Sequence, residues 1–132
     1  MADTFTPAAR ELITKKVLAH VASLDPDGSP NVSPVWTELD GDNLVITTSL
    51  GRAKARNLAT DPRVAVSIVD PDDDERIITL RGSVVGFTTI GADEVSDRLA
   101  MKYMGVDSLP KLEGEIRVIV RIQPDRISNQ PE

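Results

Sequence analysis

Hydrophobic and polar residues alternate along several stretches of this chain, which is the pattern of strands that bury one face. The alternation is most regular at residues 115–123, where Ile116, Val118, Val120 and Ile122 share a face. Similar patterns, separated by turn signals, predict five further strands, at residues 16–24, 31–39, 43–49, 64–69 and 76–87. The last of these contains Gly82 and Gly86, and glycines within a strand predict bulges or the close approach of another group to the backbone.

Three segments carry helix signals instead. Thr6 followed by Pro7 predicts a helix over residues 7–15, with Thr6 as the N-cap. Residues 52–60 predict a short helix that ends at Asp61-Pro62, and residues 92–104 predict the longest one. Six strands with tight early hairpins and three short helices predict a mainly β fold, an antiparallel barrel with peripheral helices, formed as one domain from residues 1–132.

Composition limits the chemistry that this barrel can perform with its own side chains. The chain has 132 residues, no Cys and one His, so it holds no thiolate nucleophile, disulfide or multi-histidine metal site. Redox chemistry would therefore need a bound cofactor. The net charge of −6 argues against nucleic-acid binding. Without an apolar run long enough for a membrane helix or a signal peptide, we expect a cytoplasmic protein.

A cluster of basic residues stands out in this acidic chain. Arg52, Lys54, Arg56 and Arg63 follow the hydroxyl-bearing segment 47–49 at the end of a predicted strand. Hydroxyls, a helix N-terminus and basic side chains together suit a phosphate group. At about 100° per residue, however, Lys54 joins Arg52 only if the first helical turn is loose. A solvated basic helix face remains the alternative.

Other candidates carry weaker signals. His20 lies opposite the apolar face of its strand, which favours a structural or solvent-exposed role over catalysis. Five acidic residues within 70–75 lack the ligand spacing of a calcium loop, so we expect a solvated turn. Trp36, the single indole, and Tyr103, which continues the apolar stripe of its helix, both fit core packing as well as a site.

Taken in order, several motifs resemble one known family. These are Ser33-Pro34-Val35-Trp36, Asp40-Gly41-Asp42-Asn43-Leu44, Thr47-Thr48, the run from Gly51 to Val64, Arg81-Gly82, Gly91-Ala92, Lys102-Tyr103-Met104-Gly105 and Arg117-Val118. They resemble the deazaflavin-dependent branch of the split-barrel flavin-binding proteins, which is related to the pyridoxamine 5′-phosphate oxidases. The resemblance extends from about Leu12 to Ile127.

The resemblance implies a six-stranded split barrel that forms a homodimer, with two equivalent cofactor sites at the subunit interface. It implies coenzyme F420 as the cofactor, with FMN as the alternative. The residues that match cofactor-binding positions are Ser33, Val35, Trp36, Thr47, Thr48, Ser49, Arg52, Lys54 and Asn57. Within this set, Arg52 and Lys54 match the phosphate positions. Trp36, Tyr103 and Met104 would shape the substrate side, with the last two reaching the site from a helix of the partner subunit.

The resemblance also implies a function. It is hydride transfer from reduced F420 to an electron-poor small molecule, and no residue stands out as an acid or base. The closing strand is not followed by the basic motif that pyridoxamine 5′-phosphate oxidases use for substrate, so vitamin oxidase activity is not expected. An FMN-dependent reductase or oxidase and a non-catalytic cofactor-binding protein are the alternatives.

Overall fold

The computed structural model describes residues 2–132, which form three helices and seven strands. The helices are α1 (Pro7–Thr14), α2 (Ala53–Thr60) and α3 (Ala92–Met104). The strands are β1 (Ala19–Leu24), β2 (Pro30–Val35), β3 (Glu38–Asp40), β4 (Asn43–Ser49), β5 (Arg63–Asp70), β6 (Asp73–Thr88) and β7 (Arg117–Asn129). The fold is mainly β with peripheral helices, as the sequence pattern predicts.

All strands belong to one antiparallel sheet with the order β2-β1-β5-β6-β7-β4-β3. The first two hairpins therefore lie at opposite edges, and the sheet curls around a core to which β1, β4, β5, β6 and β7 contribute. Helix α1 packs its buried residues Ala9, Leu12 and Ile13 into that core. Thr6 caps α1 as expected, since its hydroxyl accepts a hydrogen bond from the backbone N–H of Ala9 at 3.1 Å.

The prediction of a single strand over residues 31–39 is wrong. The chain leaves β2 after Val35 and enters β3 at Glu38, so two short strands replace one and the sheet has seven strands. The break is held at Thr37, whose side chain is buried and whose hydroxyl donates to the carbonyl of Val45 at 3.0 Å. The backbone N–H of Thr37 donates to the hydroxyl of Tyr103 at 3.2 Å. These bonds take the place of ladder hydrogen bonds and let the chain cross from one sheet edge to the other.

Strand β7 runs six residues further than residues 115–123 predict. The extension passes Pro124, which pairs with Gly82 at a register shift, a position that tolerates a residue without a backbone N–H. A Cβ atom at Gly82 would lie 2.6 Å from the carbonyl oxygen of Gln123. Another of the three register shifts in this strand pair lies next to Gly86. The predicted close approach and bulges at the two strand glycines are therefore confirmed.

A second, smaller cluster of buried residues joins α3 to the sheet. Val95 and Leu99 of α3 pack with Val45 of β4 and Ile119 of β7. Trp36 packs against this cluster from the segment between β2 and β3. The cluster thereby fixes the position of α3 along one side of a cavity that Trp36 and Leu99 line.

Candidate functional site

A cavity of about 510 Å³ opens between the ends of β2 and β4, the start of α2, helix α3 and the segment that leads into β7. One end is polar and the other is walled by apolar side chains. Its lining residues are Leu18, Pro34, Val35, Trp36, Thr47, Thr48, Ser49, Arg52, Lys54, Ser96, Leu99, Leu109, Pro110, Leu112, Glu115 and Arg117. Seven of the eleven residues proposed from the sequence lie here: Val35, Trp36, Thr47, Thr48, Ser49, Arg52 and Lys54.

The polar end is built around the N-terminus of α2. Arg52 is the N-cap residue and has an extended backbone, with φ −76° and ψ 149°, so the helix begins only at Ala53. Because Arg52 lies outside the helix, its side chain is not bound to helical spacing and faces the same cavity as Lys54. No side chain caps this helix, so its first-turn N–H groups have no side-chain partner at the helix end where Arg52 and Lys54 line the cavity. The arrangement favours an anion.

Both basic side chains at this end lack an acidic partner. Neither Arg52 nor Lys54 forms an ion pair with any residue that the structure describes. Burial lowers the pKa of Lys54 from its ordinary value, and the nearby charge of Arg52 lowers this pKa further. An anion bound between the two side chains would offset both the burial of Lys54 and its repulsion by Arg52, because a nearby negative charge stabilises each positive charge.

The hydroxyl of Thr48 is a further unused group. Its Oγ1 atom is buried and has no hydrogen-bond partner within residues 2–132. An unpaired buried hydroxyl is unfavourable, and such groups are uncommon away from functional sites. Because this atom has almost no exposed surface, the side chain of Thr48 would have to rotate for a ligand oxygen in the cavity to supply a partner.

The other two arginines of the basic segment point elsewhere. The guanidinium of Arg56 folds back onto the carbonyl of Gly51 and faces a separate surface cavity. Arg63 pairs with Asp61 at 2.8 Å, and this pair lowers the pKa of Asp61 to about 2. Only Arg52 and Lys54 of the four basic residues therefore line the 510 Å³ cavity.

The side chain of Trp36 forms part of the apolar wall of the cavity and packs against the ring of Tyr103. The two rings stack with their centroids 4.9 Å apart and an interplanar angle of 5°. The hydroxyl of Tyr103 donates to the carbonyl of Val17 and accepts from the N–H of Thr37. These contacts lie within one chain, so Tyr103 supports Trp36 in its own subunit, and its approach to the site of a partner subunit stays a prediction.

Three more of the proposed residues do not line the cavity. Ser33 lies on β2 next to the lining segment. The side-chain amide of Asn57 is buried and donates to Asp25 at 2.8 Å and to Ser23 at 3.3 Å, which ties α2 to the turn after β1. Met104 is 56% exposed at the end of α3. For Asn57 the hydrogen bonds account for its burial without a ligand.

Two charged lining residues were not singled out from the sequence as site residues, Glu115 and Arg117. Arg117 pairs with Ser49 across β4 and β7, so the two side chains share one face of the sheet. Glu115 accepts a hydrogen bond of 2.6 Å from the hydroxyl of Ser49. The available signal was the alternation of β7, which places Arg117 on the face opposite Val118 and Val120. The pairing partner of that face was not predictable.

The remaining candidates lie outside this cavity. His20 is exposed on the outer face of β1. Asp70 is buried and holds Lys15 at 3.0 Å and Arg76 at 3.1 Å, so this part of the acidic run is structural. Within residues 2–132 no cluster of His, Cys, Asp or Glu could hold a metal ion. None of the three described helices has the length and apolar character to cross a membrane.

The cavity suits a phosphate-bearing ring cofactor such as F420 or FMN. Arg52, Lys54 and the first turn of α2 would hold the phosphate, with the free hydroxyl of Thr48 available as a further partner. The apolar wall with Trp36 would contact the ring. A cavity that combines apolar side chains with a few convergent polar and charged groups is typical of cofactor sites.

Solved structures of similar fold include proteins with several different names. A protein named F420 reductase matches with 30% sequence identity and a TM-score of 0.83, over 93% of this chain and 98% of the other. The conserved hypothetical protein Rv2991 from Mycobacterium tuberculosis matches with 20% identity and a TM-score of 0.74, over 96% and 84%. HutZ, a heme storage protein from Vibrio cholerae, matches with 18% identity and a TM-score of 0.66, over 94% and 92%. The last two similarities concern the fold.

The family follows from a match that spans almost the whole chain. The family model described as pyridoxamine 5′-phosphate oxidase matches residues 5–130. The matched residues include all seven strands, all three helices and every lining residue of the cavity. The chain therefore belongs to the pyridoxamine 5′-phosphate oxidase family of split-barrel proteins.

Proposed function

We propose that this protein is an oxidoreductase that binds coenzyme F420 in the 510 Å³ cavity and reduces an electron-poor small molecule. The observation that carries the proposal is the pair Arg52 and Lys54, two cations without acidic partners at the uncapped start of α2. The 30% identity to a protein named F420 reductase supports F420 over other ring cofactors. Reduced F420, when bound, supplies a hydride to the acceptor.

The residues of this chain would act through binding and orientation. Arg52 and Lys54 anchor the phosphate, and the Trp36 segment sets the height of the ring above the sheet. Tyr103 and the cluster of Val95 and Leu99 keep that segment from shifting, since Trp36 packs on them. Holding donor and acceptor in one orientation removes much of the entropic barrier to transfer between them.

Proton transfer to the product is left to solvent or substrate in this proposal. Glu115 is the single carboxylate in the lining, and hydrogen bonds from Ser49 and from the N–H of Leu112 lower its pKa. A carboxyl with a lowered pKa is deprotonated at neutral pH and is a poor proton donor. It lies at the phosphate end with Arg52, away from the wall that would contact the ring.

We further propose that the protein is a homodimer. Three apolar residues are exposed on one side of the sheet: Val32 on β2 (66%), Val69 on β5 (39%) and Leu18 just before β1 (46%). Leu18 also lines the cavity, so a second copy packed on this face would lie against the cavity mouth. An apolar face next to an open site suits a homodimer interface. Light scattering at micromolar concentration tests this, and a monomer would contradict it.

Binding of F420 tests the proposal directly. The wild-type protein should bind F420 with a change in cofactor fluorescence, and the double variant Arg52→Ala plus Lys54→Ala should bind at least about tenfold more weakly. The matched control is Arg56→Ala plus Arg63→Ala, which removes two cations of the same segment that face away from the cavity. Equal affinity in the two double variants would contradict the anchoring role.

Turnover separates the proposal from its two alternatives. Reduced F420 bound to the protein should reduce at least one acceptor from a panel of nitroaromatics, quinones, enones and tetrapyrroles. A yellow preparation that releases FMN on denaturation would instead favour an FMN-dependent enzyme. F420 binding without reduction of any acceptor would favour a cofactor-binding protein without catalysis.

A further inference from the structure

A carboxylate lies inside the cationic end of the cavity. One oxygen of Glu115 accepts from the hydroxyl of Ser49 at 2.6 Å, and the other accepts from the N–H of Leu112 at 3.0 Å. Both bonds fix the carboxylate in place, and its side chain is only 22% exposed. Repulsion from this charge would act on any anion bound beside it.

Glu115 has one ion-pair partner, and that partner is shared with other acceptors. Its nearest cation is Arg117, whose Nε lies 3.8 Å away, a long contact. The guanidinium of Arg117 is shared with Asp93 at 3.4 Å and with the carbonyl of Leu109 at 3.3 Å. Arg52 is close enough to lower the pKa of Glu115. The polar end of the cavity therefore combines the positive charges of Arg52, Lys54 and the shared guanidinium of Arg117 with the fixed negative charge of Glu115.

The two candidate cofactors differ in charge at the position that this site would hold. FMN ends in a phosphate monoester, which carries a charge of about −1.5 to −2 at neutral pH. F420 carries a phosphodiester, with a single negative charge, and its acidic tail continues beyond it. A fixed carboxylate next to the phosphate penalises the second charge of a monoester.

We infer that Glu115 is a specificity-determining residue that selects a phosphodiester over a phosphate monoester at the α2 end of the cavity. The inference rests on the proposed function, since it assumes that the phosphate of the cofactor lies between Arg52 and Lys54. It assigns to Glu115 the rejection of FMN, while Arg52 and Lys54 supply the attraction that both cofactors share.

The test compares affinities for F420 and FMN in the wild type and in Glu115→Gln, by fluorescence titration. Glutamine keeps the shape of the side chain and an oxygen that can accept from Ser49 or Leu112, but removes the charge. We expect the preference for F420 over FMN to fall by about three- to tenfold, because FMN gains more from the loss of a nearby negative charge. Riboflavin, which has no phosphate, should bind the wild type and Glu115→Gln with equal affinity.

Matched variants make the result specific. Glu113→Gln removes the same charge from an exposed residue of the same segment that does not line the cavity, and it should leave the preference unchanged. Glu115→Asp keeps a charge and should retain most of the wild-type preference. If Glu115→Gln unfolds at a lower temperature than the wild type, Glu115→Met serves as a second neutral variant of similar volume. It should show the same change in preference as Glu115→Gln.

The outcomes separate the inference from the proposed function. Wild-type protein that binds neither F420 nor FMN overturns the proposed function and the inference with it. Binding of F420 with an unchanged preference in Glu115→Gln overturns the inference alone. An equal shift in Glu113→Gln also overturns it, since the effect would then come from the overall charge of the segment.

Discussion

The ammonium group of Lys102 donates a hydrogen bond of 2.7 Å to the carbonyl of Thr37, the residue at which the chain crosses between the two sheet edges. The same ammonium donates to the carbonyl of Ile13 at the end of α1, also at 2.7 Å. Lys102 therefore joins α3, α1 and the segment that carries Trp36. It lies 4.8 Å from the ring centroid of Tyr103, which adds a cation–π contact.

Loss of Lys102 should destabilise the protein. Lys102→Met removes two hydrogen bonds from a charged donor to partly buried carbonyls, and we expect the free energy of unfolding to fall by about 1–3 kcal/mol. Urea unfolding followed by the emission of Trp36, the only tryptophan, measures this change. The control Lys111→Met removes an exposed lysine that pairs with Asp93, and it should change stability by less than about 1 kcal/mol.

The contribution of Lys102 should depend on pH. Burial lowers the pKa of Lys102 from 10.5 to about 8, so between these values the unfolded chain binds more protons than the folded one. Raising the pH through this window therefore stabilises the folded state. The difference in unfolding free energy between wild type and Lys102→Met should be larger at about pH 9.5 than at about pH 7.5. A difference that is constant or shrinks would contradict the lowered pKa.

The stacking of Tyr103 on Trp36 can be separated from its hydrogen bonds. Tyr103→Phe keeps the ring but leaves the N–H of Thr37 and the carbonyl of Val17 without this partner, so stability should fall by about 1–3 kcal/mol. Its Trp36 emission should match that of the wild type, because the stacked ring remains. Tyr103→Leu removes the ring, and emission should shift to longer wavelength. Equal spectra for both variants would show that the stacking does not shield Trp36.

Local signals predicted most of the secondary structure. The bounds 43–49 of β4 and 92–104 of α3 are as predicted, because an Asp-Gly turn begins the first and glycines flank the second. The break at Thr37 was missed because the groups that hold it come from elsewhere in the chain: Tyr103 is 66 positions away. A pattern read along the sequence does not include such contacts.

The same distinction applies to the cavity. Arg52, Lys54 and the hydroxyls of 47–49 were found because they adjoin in sequence, and the extended backbone of Arg52 removed the conflict of helical spacing. Glu115 and Arg117 reach the site only because β4 pairs with β7. This pairing joins residues that are far apart in sequence; Ser49 and Glu115, for example, are 66 positions apart. Asn57 was assigned to the cofactor because it lies close to Arg52 and Lys54 in sequence. Its actual hydrogen-bond partners, Ser23 and Asp25, lie more than 30 positions away and were not visible from the sequence.

Close packing of β6 against β7 should make Gly82 sensitive to substitution. Gly82→Ala would place a Cβ atom 2.6 Å from the backbone carbonyl of Gln123, and the backbone cannot move without breaking the strand pairing. We expect a loss of about 1–3 kcal/mol in unfolding free energy. Gly86→Ala is the matched control, since a Cβ atom there would meet the Cβ atom of Arg121 at 3.3 Å, a less severe contact than the one at Gly82. Chemical denaturation of both variants should show the larger loss at Gly82, and the reverse order would contradict this packing argument.

The unpaired hydroxyl of Thr48 should affect stability and cofactor binding in opposite directions. Thr48→Val replaces a buried hydroxyl that has no partner among the described residues with a methyl group of nearly the same shape. Without its cofactor the variant should be as stable as the wild type or more stable by about 1 kcal/mol, because no hydrogen bond is lost and a desolvation penalty is removed.

If the hydroxyl of Thr48 binds the phosphate, F420 should bind Thr48→Val about three- to tenfold more weakly than the wild type. Thr48→Ser retains the hydroxyl and should bind F420 within about twofold of the wild type. Thermal unfolding and fluorescence titration of the same three preparations measure both effects, and a variant that loses stability without losing affinity would show that Thr48 serves the barrel and not the ligand.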